Sequence, residues 1–466
     1  MPKFPAYTDD EIIAYLKEQV KDGQVFTDQK TLERHSFSHN ETDESSALAL
    51  AYIEVGSKED IQGVLQTARK FHLPVIPQSS FSSLVIGADG EPHSLIVSTN
   101  RLNRIIEINK DDLIAVVEPG VINNTLDQEA RKQGLFYAPD PGSRMISRIG
   151  GNVATNAGGM STVKYGTTRD NVLGIKVILP DGRDVTLGHR TYKQAFGYDL
   201  THLFIGSEGT LGIVYEVTVK LMPIPLGDSM MGLAFFKDMP TCAKAISAIR
   251  RSGLYPVMLE ALDANSIEAL DIYNHTDYKQ KGAGAMLIFK IDVVTDKTQA
   301  ALQAILQEYE ASDVTLAKEE KEQERLLQMR RDYLLAVYAL GGNHVMEDMC
   351  VPLSQLPTMV AYIRQLEKEY GYKIYVAGHA GDGNVHPTIL WPKEEKETPQ
   401  AVVEIIQKLF RKALEVGGTI SGEHATGMLK GLWNNEELGD DLDMLQHQIK
   451  SLIDPMNIMN PKRKID

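Results

Sequence analysis

At 466 residues the chain exceeds what one hydrophobic core ordinarily serves, so two or three packed domains are expected. Forty-eight basic against 63 acidic residues leave a formal charge of −15, which repels phosphate backbones and anionic bilayers and argues against nucleic acid as a partner. The two cysteines, Cys242 and Cys350, stand far apart with no C-x-x-C spacing, which excludes a cysteine-bound iron-sulfur cluster or redox pair and fits a reducing compartment.

Residues 1–45 form an N-terminal helical segment in which TDDEIIAYLKEQV opens a helix after Thr8 or Asp9. The segment lacks the basic start and apolar core of a signal peptide, so a cytoplasmic protein is expected. The longest apolar stretches, such as ALALAYIEV, are of strand length, short of the roughly 20 residues of a membrane-spanning helix. From there ALALAYIEV, KEDIQGVLQTARKF and LPVIP read as a β-α-β unit. Residues 91–225 are rich in β-branched strands separated by Gly and Asn turns. The proline-bearing run LMPIPLGDS, residues 221–229, marks a domain boundary, because Pro cannot continue a central strand. Beyond it GLAFFK, a helix over 240–252, the strand AMLIFKID and a helix over 297–309 predict an antiparallel sheet backed by helices.

The densest unusual stretch is PDPGSRMISRIGGNVATNAGGMSTVKYGTTRDN, where Gly150, Gly151, Gly158, Gly159 and Gly166 cluster with Asn152 and Asn156. Glycine lets backbone amides approach a ligand without a Cβ between, but on density alone these residues serve tight turns as readily as a cofactor. No G-x-G-x-x-G follows the first strand, so a Rossmann nicotinamide site is not supported.

Further on, YKIYVAGHAGDGNVHPTILW places two β-rich segments around Ala380-Gly381-Asp382-Gly383. In a hairpin closed by that turn His379 faces Asn384, and His386 lies two residues along on the same face, so both imidazoles are within reach of one ion. Glu423 in Ser421-Gly422-Glu423-His424 offers a third ligand. Two His and one carboxylate with open positions suit zinc or non-haem iron, although a lone His is more often a hydrogen-bonded structural residue.

Taken together, VVEPGV, the PDPGS to GGNVATNAGG stretch, KYGTTRDNVLGIKVILPDG and HLFIGSEGTLGIVYEVTVKLMP resemble the FAD-binding domain of the vanillyl-alcohol oxidase type flavoproteins, also called PCMH-type. GHAGDGNVHP, SGEHATGMLK and DPMNIMNP are similar to the C-terminal domain of the D-lactate dehydrogenase, glycolate oxidase and D-2-hydroxyglutarate dehydrogenase group. The resemblance implies an α+β chain: a two-subdomain FAD-binding domain over 46–225, a cap with an antiparallel sheet over 226–450, and a tail over 451–466 returning to the flavin. It implies flavin contacts at Gln78, Ser79, Ser80, Phe81, Ser82, Ser83, Pro141, Gly142, Gly150, Gly151, Asn156, Gly158, Tyr165, Gly166, Gly212, Ile213, Asn384 and Asn460.

One part departs from that family. Where relatives carry a loop such as PRGGGTSLSGGA this chain has PQSSFSSLVIGA, with Ser79, Ser80 and Phe81 at three glycine positions. Any of these that needs a positive φ is strained at Phe81 by about 1 kcal/mol or more. The loop holds no His or Cys, so a noncovalent FAD is expected.

The same resemblance implies that His379, His386 and Glu423 bind a divalent metal, with zinc expected and iron or manganese as alternatives, and that His424 is the base. Asn384 would line the substrate and flavin pocket. In LLQMRRDYLLAVY, Arg330 aligns with a clamp for the substrate carboxylate, and Arg331 competes for that role. Met346 stands where the D-2-hydroxyglutarate branch has a Lys, which favours a small monocarboxylate such as D-lactate. Glycolate or D-2-hydroxyglutarate oxidation and a catalytically silent flavin subunit of a larger complex remain the alternatives. An ether-lipid synthase relative is disfavoured, since no run of consecutive histidines occurs. Partners implied are the hydroxy acid and an electron acceptor, whether quinone, electron-transferring flavoprotein or oxygen, and a homodimer is left open.

Overall fold

The computed structural model describes residues 7–38 and 46–465, and the chain divides into two compact units. The first unit gathers the chain up to Gly158, then Gly166–Ile224 and Glu423–Asp466; the second comprises Gly159–Tyr165 and Pro225–Gly422. The proline run thus coincides with a crossing at Ile224/Pro225. The last crossing falls at Gly422/Glu423, where the boundary was expected near residue 450, because the last helix and the tail pack on the first unit's sheets.

The first unit opens with the helix Asp9–Gln19, started by a capping box in which Thr8 and Glu11 satisfy each other's backbone amides. A four-stranded sheet runs in the order Gln24–Phe26, Ala51–Glu54, Leu95–Ser98, Val75–Gln78. Its last three strands are parallel, and the helix Lys58–Phe71 makes the crossover of the expected β-α-β unit. The central strand LIVS is wholly buried, as a parallel strand covered on both faces must be. A five-stranded antiparallel sheet follows in the order Ile105–Asn109, Ile114–Val117, Ile213–Lys220, Val172–Ile178, Asp184–Gly188. These are the two subdomains. The C-terminal tail belongs to the first: Met459 bridges Val75, and Ile458 and Met459 lie in its core beside Leu95 and Val97.

The second unit is an antiparallel sheet ordered Ser312–Ala317, Met230–Phe236, Ala285–Ile291, Met258–Asp263, Ile374–Gly378, Asn384–Trp391, Asn343–Met346, with Met349–Cys350 pairing the start of Asn384–Trp391. The helices Met239–Arg251 and Asp296–Glu308 occupy the positions expected from the sequence, one residue earlier at each end. Among the described residues no helix is long and apolar enough to cross a membrane.

Candidate active site

In the second unit, Ile374–Gly378 and Asn384–Trp391 form the expected hairpin, with Ala377 opposite His386. That register places His379 opposite Asn384 and puts Asn384, His386 and Thr388 on one face. The His379 and His386 rings stand edge to face with centroids 5.3 Å apart, and both residues are buried. Met346 pairs with Thr388 across the sheet and so shares the face of His386.

Next to the hairpin runs Met258–Asp263, whose Ala261 pairs with Gly378; one step further along that register, Glu260 lies beside His379. Glu260 is fully buried in a strand buried along its whole length. Its Oε1 accepts from His379 Nδ1 at 2.8 Å, and its Oε2 accepts from Arg330 Nε at 2.6 Å. Burial alone would raise the Glu260 carboxyl, but the His379 and Arg330 charges and their hydrogen bonds hold it below the ordinary glutamate value. An ionised carboxylate can only accept, so Nδ1 carries a His379 proton, and in the neutral ring Nε2 is then the nitrogen with the lone pair. Arg330 sits on the helix Glu320–Ala339 with its side chain 14% exposed, whereas Arg331 pairs with Glu324 on the surface. Of the two competing arginines, Arg330 is therefore the inward one.

Asp348 is a second buried carboxylate of this unit. Its Oδ1 accepts from Asn384 Nδ2 at 2.7 Å and lies 3.6 Å from His386 Nδ1. Asn384 Nδ2 also donates to the Met349 carbonyl, while its buried Oδ1 has no hydrogen-bond partner among the described residues. Gly422 closes against this pair, where a Cβ would stand 2.2 Å from Asn384 Nδ2 and 2.9 Å from Asp348 Oδ1. Only glycine admits the backbone so close. Glu423 follows by one peptide, about 3.8 Å on between Cα atoms. His424 Nε2 is 3.6 Å from Glu423 Oε1.

In the first unit, the loop 79–87 leaves the strand Val75–Gln78. Gln78 turns inward: its Nε2 donates to the carbonyls of His35 and Ala88, and its Oε1 pairs with His35 Nδ1. It ties down the base of the loop with its side chain fully committed. Ser80 Oγ donates to the Ile146 carbonyl. The hydroxyls of Ser79 and Ser83 are buried without a partner among the described residues, as is that of Ser147. The helix Ile149–Thr155 approaches so closely that a Cβ on Gly151 would meet Ser79 at 3.1 Å. Asn460 reaches in from the tail, its Nδ2 donating to the Gly87 and Glu208 carbonyls while its buried Oδ1 has no partner among the described residues. Buried polar atoms normally have partners, and unmatched hydroxyl and amide groups around a loop are what a polar cofactor would satisfy.

Other residues of the expected flavin set are placed differently. Asn156 caps its helix at φ 53° and accepts from Arg169 N and Thr167 Oγ1. Ile213 is buried in the first subdomain's core. Tyr165 belongs to the second unit, where its hydroxyl donates to Asp292 at 2.6 Å. Gly158 and Gly166 are first-unit residues flanking the short excursion Gly159–Tyr165 into the second unit. Pro141 accepts from Arg144 N in a turn that holds Gly142, and Gly212 opens the way into Ile213–Lys220.

Phe81 has φ 56°, the strained left-handed conformation expected if its position requires a glycine. Ile86, a β-branched residue, also has a positive φ of 53°, which sequence reasoning missed. Phe81→Gly should therefore exceed Phe81→Ala in stability by about 1 kcal/mol, the left-handed penalty carried by any Cβ. Thermal melts of the two apoproteins measure this, and equal stability would contradict a left-handed residue 81.

The family description "FAD binding domain" matches residues 49–188, and "FAD linked oxidases, C-terminal domain" matches residues 228–463. The chain belongs to the FAD-linked oxidases, and FAD is its cofactor. Among its relatives are "Glycolate oxidase subunit GlcD" of Bacillus subtilis, 34% identical over 432 residues covering 91% of each chain, and "D-lactate dehydrogenase" of Anaerostipes hadrus, 34% identical over 88% of each. "D-lactate dehydrogenase [cytochrome], mitochondrial" of Arabidopsis thaliana is 29% identical over 98% of this chain and 80% of its own. The fold is shared with p-cresol methylhydroxylase, at a TM-score of 0.81 and 14% identity over 98% of this chain and 96% of the other. It is also shared with alkyldihydroxyacetonephosphate synthase, at 0.74 and 21% over 99% and 87%. At such identities the likeness is one of fold.

Glu260 and Asp348 are the two residues of the site that sequence reasoning missed. The available signal was a charge in the middle of an apolar run, MLEALD, in a segment that reads as an interior strand.

Proposed function

We propose that this protein oxidises a small D-2-hydroxy monocarboxylate, with D-lactate the first candidate, to the 2-keto acid. The observation that carries this reading is one buried carboxylate, Glu260, joining an inward arginine to one of two facing histidines. The arginine suits a substrate carboxylate, and the histidine pair suits a divalent ion. The names of relatives from Anaerostipes hadrus and Arabidopsis thaliana support the D-hydroxy acid.

Arg330 would bind the substrate carboxylate through its guanidinium and concentrate an anion inside a negatively charged protein. His379, His386 and Glu423 would hold the metal, zinc in our reading, since imidazole and carboxylate are its ordinary ligands. A divalent ion there would lower the pKa of the substrate's α-hydroxyl. His424 takes the hydroxyl proton as general base. The loop 79–87, the helix Ile149–Thr155 and Asn460 would hold FAD without a covalent bond, and the flavin would supply the hydride acceptor. Met346, sharing the face of His386, supplies no cation for a second substrate carboxylate, which favours lactate over a dicarboxylate. The low cysteine content supports a cytoplasmic, reducing setting.

Anaerobic mixing of the yellow protein, whose colour acid precipitation should release, with D-lactate, L-lactate, glycolate and D-2-hydroxyglutarate tests the reading. D-lactate should bleach the flavin fastest. Faster bleaching by L-lactate or by the dicarboxylate would refute the stereochemistry or the pocket, respectively. A second reading, a catalytically silent flavin-binding subunit, draws on the positive φ of Phe81 and Ile86; a yellow protein whose flavin none of the four hydroxy acids bleaches would favour it.

A further inference from the structure

Glu260 is 70 residues from Arg330 and 119 from His379 in sequence, yet it is the residue on which both converge. A fully buried carboxylate is costly unless its oxygens are paired, and here each oxygen takes a different partner. A carboxylate serving only to neutralise one arginine would meet the guanidinium through both oxygens. Divided as it is, the group sets two orientations. Holding His379 by Nδ1 makes Nε2 the ring nitrogen that would face an ion. Holding Arg330 by Nε leaves its terminal Nη1 and Nη2, the end-on fork that grips a carboxylate, with no hydrogen bond among the described residues.

We propose that Glu260 is a positioning residue that orients the substrate-binding guanidinium of Arg330 and the metal-facing imidazole of His379 together. The proposal rests on the function read above. It implies that substrate carboxylate and metal are held in register by a group that touches neither. Asp348 neighbours the other histidine instead, its Oδ1 lying 3.6 Å from His386 Nδ1 and accepting from Asn384 Nδ2.

The test is Glu260→Gln in the FAD-loaded enzyme. One amide oxygen can accept from only one of the two N–H groups, and the amide's own N–H faces the other. The metal dissociation constant, measured by titration with zinc, and KM for D-lactate should each rise roughly tenfold, with FAD content unchanged. In an Arg330→Gln background, Glu260→Gln should still weaken the metal but add less than about twofold to KM, because its effect on substrate passes through Arg330. Unchanged metal affinity and KM would overturn the proposal. So would a loss confined to melting temperature and FAD content, which marks plain structural support. If the Gln variant does not fold, Glu260→Asp keeps the charge on a shorter arm and should move at least one of the two constants; both at wild-type values would overturn it. The parent reading fails separately if His379→Ala keeps its metal and Arg330→Gln leaves KM unchanged.

Discussion

His424→Ala is expected to slow flavin reduction by D-lactate roughly 10²-fold or more while leaving bound metal and FAD at wild-type levels. Removing a hydroxyl proton as the α-hydrogen departs needs a base within reach, and imidazole is the side chain most often used for it. The variant should fold. The segment after His424 is held by its backbone, with Thr426 N and Gly427 N donating to the Glu208 carboxylate at 2.9 and 2.8 Å, and Ala425 makes the turn at φ 74°. None of these contacts uses the imidazole. A full-speed variant would dismiss His424 as base, and a variant that loses metal would make it a ligand.

Loss of the proposed metal should have an effect of similar size by a different route. His386→Ala, or chelation of the wild type, should slow flavin reduction at least roughly a hundredfold, because a Lewis acid contributes several kcal/mol at the reacting oxygen. FAD should stay bound, since the FAD-binding match covers residues 49–188 and His386 lies far outside it. His386 is 6% exposed on the strand Asn384–Trp391, whose pairings with both neighbouring strands remain after truncation. Elemental analysis of His379→Ala, His386→Ala and Glu423→Ala alongside stopped-flow traces decides the matter. Stoichiometric metal in all three, or normal reduction by the metal-free enzyme, would make the constellation structural.

The legible parts of this protein are those written in local sequence. A capping box at Thr8 and Glu11 starts a helix wherever the chain goes next, and the hairpin register of His379, Asn384 and His386 follows from a short turn and a period of two. Substitution of three glycines by Ser79, Ser80 and Phe81 announced strain before any φ was known, because the left-handed penalty belongs to the residue type. Family motifs in order along the chain carried the cofactor in the same way.

Glu260 was not legible, since its strand becomes the hairpin's neighbour only through the sheet order, and His379 lies 119 residues further along the chain. The tail over 451–466 was expected to return to the flavin, but the place of residues 423–450 in the first unit was not legible for a related reason: an apolar pattern says that residues are buried, not against which sheet. Sequence alone determined the elements, the cofactor family and the paired histidines, because turn chemistry, periodicity and motif spacing act over a few residues. Tertiary structure alone decided which carboxylate orients them and which arginine faces inward, because those follow from strand order and from a buried charge finding partners distant in the chain.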